Sequence, residues 1–168
     1  GLNKIKFFKR NSFQVNKVNI SKNQLKEFSE NLLLFHTGIF RIANNVSKTY
    51  VSKFEKHFYY YEELFNLVNV GIKLLRSNDF DEFGKTLHKA WTLKKSISNR
   101  ISNNKIDDIY QNAISSGAIG GKLLGAGGGG FILFYVPKKF QKKVVKRLEK
   151  LIHVPFNFET SGSKIIFS

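Results

Sequence analysis

Four consecutive glycines, Gly127 to Gly130, lie inside the stretch Gly120-Gly121-Lys122-Leu123-Leu124-Gly125-Ala126-Gly127-Gly128-Gly129-Gly130-Phe131. Glycine loses more backbone freedom on folding than any other residue, roughly 0.5–1 kcal/mol relative to alanine. A folded chain retains such a run where the backbone must take unusual dihedrals or approach another group closely. The loop's bare N–H groups can line a phosphate site, or the run can be a flexible turn between two strands. The residues that follow, Phe131 to Val136, are strand-like and are ended by Pro137. Gly125, Gly127 and Gly130 satisfy the spacing G-x-G-x-x-G, but that dinucleotide loop must open a helix, so the match is accidental. Gly84-Lys85-Thr86 resembles the end of a P-loop, yet Asp79 stands where its first glycine belongs, within a helical pattern.

The rest of the pattern mixes short strands with helices. Ile5 and Phe7, a turn at Asn11-Ser12, then Phe13, Val15, Val18 and Ile20 predict a hairpin over residues 4–20. Leu32 to Phe35 is a buried strand ending at His36-Thr37-Gly38, and Ile42, Val46, Tyr50 and Phe54 place a helix after Ile39. Tyr61, Leu64, Phe65, Val68, Ile72 and Leu75 mark an apolar stripe on a helix over 58–76. Asp79 with Glu82 resembles a capping box for another helix, whose inner face carries Phe80, Phe83, Leu87, Ala90, Trp91, Ile97 and Ile101. A fourth helix is expected over 105–116. Phe140, Val144, Val145, Leu148, Leu151 and Ile152 mark an amphipathic helix, and Phe156, Phe158 and residues 164–167 a closing hairpin. Helices between short strands without regular βαβ alternation predict an α+β fold with an antiparallel sheet covered on one face.

The chain's 168 residues fit one ordinary domain. With 42% hydrophobic residues and 17 Phe there is ample material for a core, which argues against disorder. No apolar run approaches the roughly 20 residues that span a bilayer. Cysteine is absent, which excludes a disulfide scaffold, thiolate catalysis and cysteine-ligated zinc. Methionine is absent too, and a chain beginning Gly1-Leu2-Asn3 reads as a piece of a longer protein. The net charge of +16 gives general phosphate affinity. Its basic residues are spread along the chain and are mostly lysine, which argues against a specific nucleic-acid target.

The whole of Gly117 to Phe131 closely resembles the third, C-terminal signature of the GHMP small-molecule kinases, which include galactokinases, homoserine kinases and mevalonate kinases. Within that superfamily, four segments look most like the D-glycero-D-manno-heptose 7-phosphate kinases: Leu32 to Arg41, Leu87 to Ser96, Ile101-Ser102-Asn103 with Ile106-Asp107, and Val154-Pro155-Phe156 with Ser163 to Ile166. The resemblance spans essentially the whole chain. It implies a kinase of two lobes whose C-terminal lobe is ferredoxin-like α+β, with residues 26–168 forming that lobe. Residues 1–25 would then be a strand hairpin from the end of the N-terminal lobe.

The activity implied is Mg2+- and ATP-dependent phosphorylation of the anomeric hydroxyl of the heptose 7-phosphate, giving the 1,7-bisphosphate. That product would feed nucleotide-activated heptose and surface glycans, capsule or lipopolysaccharide, in the cytoplasm. The implied partners are the phosphorylated heptose and the missing N-terminal lobe, with neither a specific nucleic acid nor a membrane. The family's Ser-rich phosphate loop and the acidic residue that resembles a catalytic base fall upstream of Gly1, so no catalytic residue is expected here and the fragment should be inactive alone. Another GHMP kinase, galactokinase-like or mevalonate kinase-like, and a non-catalytic basic binding module are the alternatives.

Phosphoryl transfer demands positioning and charge neutralisation more than covalent chemistry. Gly125, Ala126, Gly127, Gly128, Gly129 and Gly130 are therefore assigned to the nucleotide phosphates. Thr37, Gly38 and Arg41 lie where a strand feeds a helix N-terminus, a geometry that favours anions. They are candidates for substrate contact, unless Thr37 merely caps the helix and Arg41 is solvated. Lys94 falls inside an apolar stripe, so it either snorkels outward or faces the cleft and meets a substrate phosphate. His88 lies off that stripe, and no second histidine stands at ligand spacing, so no metal site is expected. The lysines from Lys138 to Lys150 form a polar helix face, and Asp107 and Asp108 fit the start of a helix.

Overall fold

The computed structural model describes residues 1–40, 54–159, 162 and 165–167. Two antiparallel sheets organise them. Strands β1 (Asn3–Phe7) and β2 (Phe13–Lys17) form the expected hairpin, paired from Asn3↔Lys17 to Phe7↔Phe13. Its turn puts Arg10 and Asn11 at positive φ, 61° and 56°. The main sheet has the order β4-β5-β3-β6, from β4 (Gly120–Leu123), β5 (Phe131–Tyr135), β3 (Leu32–His36) and β6 (Ile152–His153), and every pairing is antiparallel. Five α-helices accompany it among the described residues: α1 (Lys22–Glu30), α2 (Phe58–Arg76), α3 (Phe80–Ile97), α4 (Asn104–Ser115) and α5 (Lys138–Arg147). This is the α+β architecture that the element pattern predicts.

Alternation along β3 and β5 divides the core in two. Leu33, Phe35, Ile132 and Phe134 join Leu123, Trp91, Ile106, Tyr110, Ala113, Val144 and Leu148 in the larger cluster. Leu32 and Tyr135, of the opposite parity, join Phe28, Leu75 and Phe80 in a second one. The expectation of a sheet covered on one face is thus corrected, because α1 and the start of α3 close the second face at its Leu32–Tyr135 end. Helix α3 serves both clusters by running against edge strand β4. The contact is backbone on backbone: a Cβ on Gly120 would stand 2.0 Å from the Gly84 carbonyl oxygen.

Several local expectations need correction. Helix α1 was not anticipated, although its signal is in the sequence. Ser21 Oγ accepts from the Gln24 N–H at 3.1 Å, and Gln24 Oε1 accepts from the Ser21 N–H at 2.7 Å, a complete capping box. The box expected at Asp79 does not form, since the Asp79 side chain caps nothing and Glu82 pairs with Lys85. On α2, Phe65 and Val68 are exposed, while Gly71 and Leu75 are buried. The helix turns its glycine face to α3, where the Phe83 ring fills the space that a Gly71 side chain would take. No strand forms among the described residues after His153. Phe156 and Phe158 instead pack as irregular chain against the second cluster, and Ile165 to Phe167 are exposed. The helix expected after Ile39 lies outside the described residues, as does Arg41.

Candidate functional site

The glycine loop joins β4 to β5 and is fastened from both sides. Five of its glycines, Gly125, Gly127, Gly128, Gly129 and Gly130, have φ between +72° and +158°, a region that side chains resist. The Gly128 N–H donates to the Ile101 carbonyl at 2.8 Å, and the Gly130 N–H donates to the Ile39 carbonyl at 3.0 Å. The fit leaves no room for side chains. A Cβ on Gly127 would lie 2.8 Å from Ile101 Cα, and one on Gly129 would lie 2.5 Å from Ile39 O. The run is a clamped backbone cradle, which removes the flexible-turn alternative.

Clamping divides the loop's donors into two sets. Gly128 and Gly130 bind the protein's own carbonyls, so they are not the bare phosphate donors the sequence suggested. The N–H groups of Gly125, Ala126, Gly127 and Gly129 have no partner among the described residues. Such N–H groups on alternating backbone conformations suit an anion. They fit the phosphates of a nucleotide better than a metal ion, and no group of three or more His, Asp or Glu able to hold a metal occurs among the described residues.

Thr37 and Lys94 both converge on this loop. Thr37 is buried, and its hydroxyl donates to the Gly130 carbonyl at 2.8 Å while accepting from the Ile39 N–H at 3.3 Å. Its own N–H donates to the same Gly130 carbonyl at 2.8 Å. The side chain expected on substrate therefore brackets the loop to β3. Lys94 Nζ donates to the Gly125 carbonyl at 2.6 Å, so the C-terminal end of α3 does face the loop, with the ammonium bonded to the loop at an exposed site. Gly38 is exposed at the exit from β3, with φ +71° and open space around it.

Two features escaped sequence reasoning. Asp107 Oδ1 accepts from Lys95 Nζ at 2.9 Å and from Ser102 Oγ at 3.0 Å, tying α3 to α4 beside the loop. The residue types were visible, but a helix-dipole explanation for Asp107 hid the partnership. Lys122 is on β4 just before the loop; its ammonium has no hydrogen bond or ion pair among the described residues, and burial holds it below the usual lysine range. His88 Nδ1 shares a hydrogen bond of 2.8 Å with the Tyr110 hydroxyl, and burial raises the Tyr110 pKa above the usual tyrosine value.

Residues 72–152, which contain the clamped loop and the strands flanking it, match the family model described as GHMP kinases C terminal. The chain carries a GHMP kinase C-terminal domain. It is 32% identical over 155 residues to the D-glycero-alpha-D-manno-heptose 7-phosphate kinase of Campylobacter jejuni, an alignment covering 89% of this chain and 45% of that protein. In fold it is similar to L. major mevalonate kinase, with a TM-score of 0.68 at 17% identity over 86% of this chain and 46% of the other. It is also similar to a B. thetaiotaomicron D-glycero-D-manno-heptose 1-phosphate kinase, with a TM-score of 0.61 at 20% identity over 90% and 39% of the two chains. At those identities the two structures bear on the fold alone. The chain spans less than half the length of the curated relative.

Proposed function

We propose that this GHMP kinase domain is the C-terminal part of an ATP-dependent sugar kinase that phosphorylates the anomeric hydroxyl of D-glycero-D-manno-heptose 7-phosphate. The observation that carries the reading is the clamped loop. Its remaining N–H groups at Gly125, Ala126, Gly127 and Gly129 are held ready for anionic oxygens without further ordering on binding. The similarity to the C. jejuni enzyme supports the choice of acceptor.

ATP brought with Mg2+ supplies the phosphoryl group. The anomeric oxygen gains it, the bond from the γ-phosphorus to the bridging oxygen breaks, and ADP and the hydroxyl proton leave. This chain's part is positional. Thr37 and Lys94 hold the loop from opposite ends, at Gly130 and Gly125, so that its donors stay aimed. Proton removal falls to a lobe that precedes residue 1, and the β1–β2 hairpin is the part of this chain assigned to that lobe, whereas Ser21 and Gln24 cap α1 within this domain. The cytoplasm is the compartment in which ATP and sugar phosphates meet such an enzyme. Among the described residues no helix is long and apolar enough to cross a membrane.

The test is ADP release from Mg2+-ATP with D-glycero-D-manno-heptose 7-phosphate, using this chain and a version extended upstream. Turnover by the extended protein alone is the expected result. A folded extended protein that turns over neither this sugar nor another phosphorylated acceptor would refute the reading.

A further inference from the structure

Beside the glycine loop an open groove of about 980 Å3 separates the exit of β3 from the connection between α3 and α4. That is within the range of small-molecule sites. Its two walls share one fastening. Gly38 and Ile39 form one wall, and the Ile39 carbonyl accepts from Gly130. The residues around Ile101 form the other, and the Ile101 carbonyl accepts from Gly128. The loop itself does not line the groove, but both of its walls are tied to the loop by these backbone bonds.

The lining presents polar and apolar surface in about equal parts, Ile39 and Phe40 beside mostly polar residues, and carries a small positive excess. Lys95, Ser102 and Asp107 form a closed, nearly neutral set, in which the carboxylate is satisfied by an ammonium and a hydroxyl. Lys105 is exposed and has no partner among the described residues. Asn103 uses its Oδ1 to cap α4 at the Ile106 N–H, which leaves its Nδ2 to donate. Asn99, also exposed in the lining, offers both a donor and an acceptor. Amides that both give and accept suit vicinal hydroxyls, and a lone ammonium suits a phosphate monoester at the other end of the same small molecule.

We infer that this groove is the acceptor site on the C-terminal domain and takes a phosphorylated sugar, with Lys105 on the phosphate and Asn99 and Asn103 on hydroxyls. The inference rests on the sugar-kinase reading for its enzymatic meaning, but the groove's binding chemistry can be tested without it. Neither Lys105 nor Asn99 is in the core, so substitutions there leave the fold intact.

The first experiment titrates this chain with D-glycero-D-manno-heptose 7-phosphate, the unphosphorylated heptose and inorganic phosphate, followed by amide NMR shifts. Shifts at Asn99, Asn103 and Lys105 are expected. Lys105→Gln should weaken the sugar phosphate about tenfold without affecting the free heptose. Asn99→Ala should weaken both sugars. Lys150→Gln, on the exposed face beyond α5, should change nothing. If Lys150→Gln weakens binding as much as Lys105→Gln, the affinity belongs to the diffuse basic field and the groove is refuted, as it is if neither groove variant has an effect.

The second experiment measures turnover in the upstream-extended protein. There Lys105→Gln should raise KM for the acceptor about tenfold while KM for ATP and kcat stay unchanged. Turnover of the heptose phosphate with an unmoved acceptor KM would overturn the groove and spare the proposed function. Specific groove binding without any turnover would support the groove and overturn that function.

Discussion

The glycine loop and the β1–β2 hairpin each join two antiparallel strands, yet they are held in opposite ways. The loop has hardly any side chains and is fixed by backbone bonds to Ile39 and Ile101, by Thr37 and by Lys94. The hairpin has a full ladder of five pairs and a well-formed apolar face, Ile5, Phe7, Phe13 and Val15, but that face is open, with Phe7 80% and Phe13 65% exposed. A two-stranded hairpin alone is marginal in water. The contrast separates two kinds of order. The loop is specified by what surrounds it inside this domain, whereas the hairpin presents a surface made for packing that this domain does not cover.

If the loop region is specified by close backbone approach, a single methyl group should disrupt it, and the size of the effect should follow the clearance. Gly120→Ala puts a Cβ 2.0 Å from Gly84 O and 2.9 Å from the His88 nitrogen, both backbone atoms that cannot swing aside. A loss of about 3 kcal/mol or more is expected in urea denaturation, as α3 is forced off β4. Gly127→Ala combines φ +118° with a contact at 2.8 Å to Ile101 Cα, for about 2–3 kcal/mol. Gly130→Ala has φ +91° but nothing within 4 Å, so conformational strain alone should cost about 1–2 kcal/mol. Equal losses at Gly127 and Gly130, both at positive φ, would mean that dihedral strain, and not close approach, sets the loop.

Thr37→Val tests the side-chain bracket. The Gly130 carbonyl keeps the Thr37 N–H, but the Ile39 N–H loses the hydroxyl that accepts from it, so the loss should be about 1–2 kcal/mol. In the extended protein KM for ATP should rise more than the acceptor KM, because the loop's donors lose their alignment.

The glycine run was legible because a backbone requirement leaves its mark in composition, and Leu32 to Phe35 because a buried strand is continuously apolar. The clamps were not legible. Nothing in a sequence says that Gly128 and Gly130 turn their N–H groups toward Ile101 and Ile39, residues 27 and 91 positions away in the chain, and so the loop's donors were overcounted. Lys94 could be placed near the loop from its helical phase, since periodicity fixes direction around a helix axis. Thr37 could be read as a cap or a ligand, and only the third dimension reveals the Gly130 carbonyl beside it. The apolar stripe on α2 held at Tyr61, Leu64 and Leu75 but not at Phe65 and Val68, because Gly71 marks the place of closest approach: two helices meet closely where a side chain is missing.

Lys122 offers a smaller test on the loop side of the comparison. Its burial lowers the folded-state pKa below the ordinary 10.5, so the folded chain holds fewer protons than the unfolded one in the window between the two values. The penalty is fully present below the folded pKa and is relieved as pH rises through that window. Lys122→Met should therefore raise the unfolding free energy from urea denaturation at pH 7, by less than about 1 kcal/mol, and the gain should shrink toward pH 10. Tyr110 and Tyr135 act with the opposite sign. Burial raises both their pKa values above 10, so the stability they contribute is intact below pH 10 and falls as the pH rises further. A gain from Lys122→Met that is flat with pH would point to packing alone.

The hairpin should give the smallest change in stability and the clearest change in behaviour. The rings of Phe7 and Phe13 meet tilted at 46°, with centroids 6.4 Å apart, and bury little against the rest of the chain. Replacing both with serine should alter unfolding free energy by no more than about 0.5 kcal/mol. An exposed apolar face on a strand pair is nevertheless a template for association. Sedimentation of this chain should show concentration-dependent self-association that the double variant loses. In the upstream-extended protein, where the proposed preceding lobe covers the face, the same substitutions should cost several times more stability and leave the sedimentation profile as it was. If the cost is the same small value in both lengths of chain, the hairpin has no partner in the longer protein and does not belong with the preceding lobe.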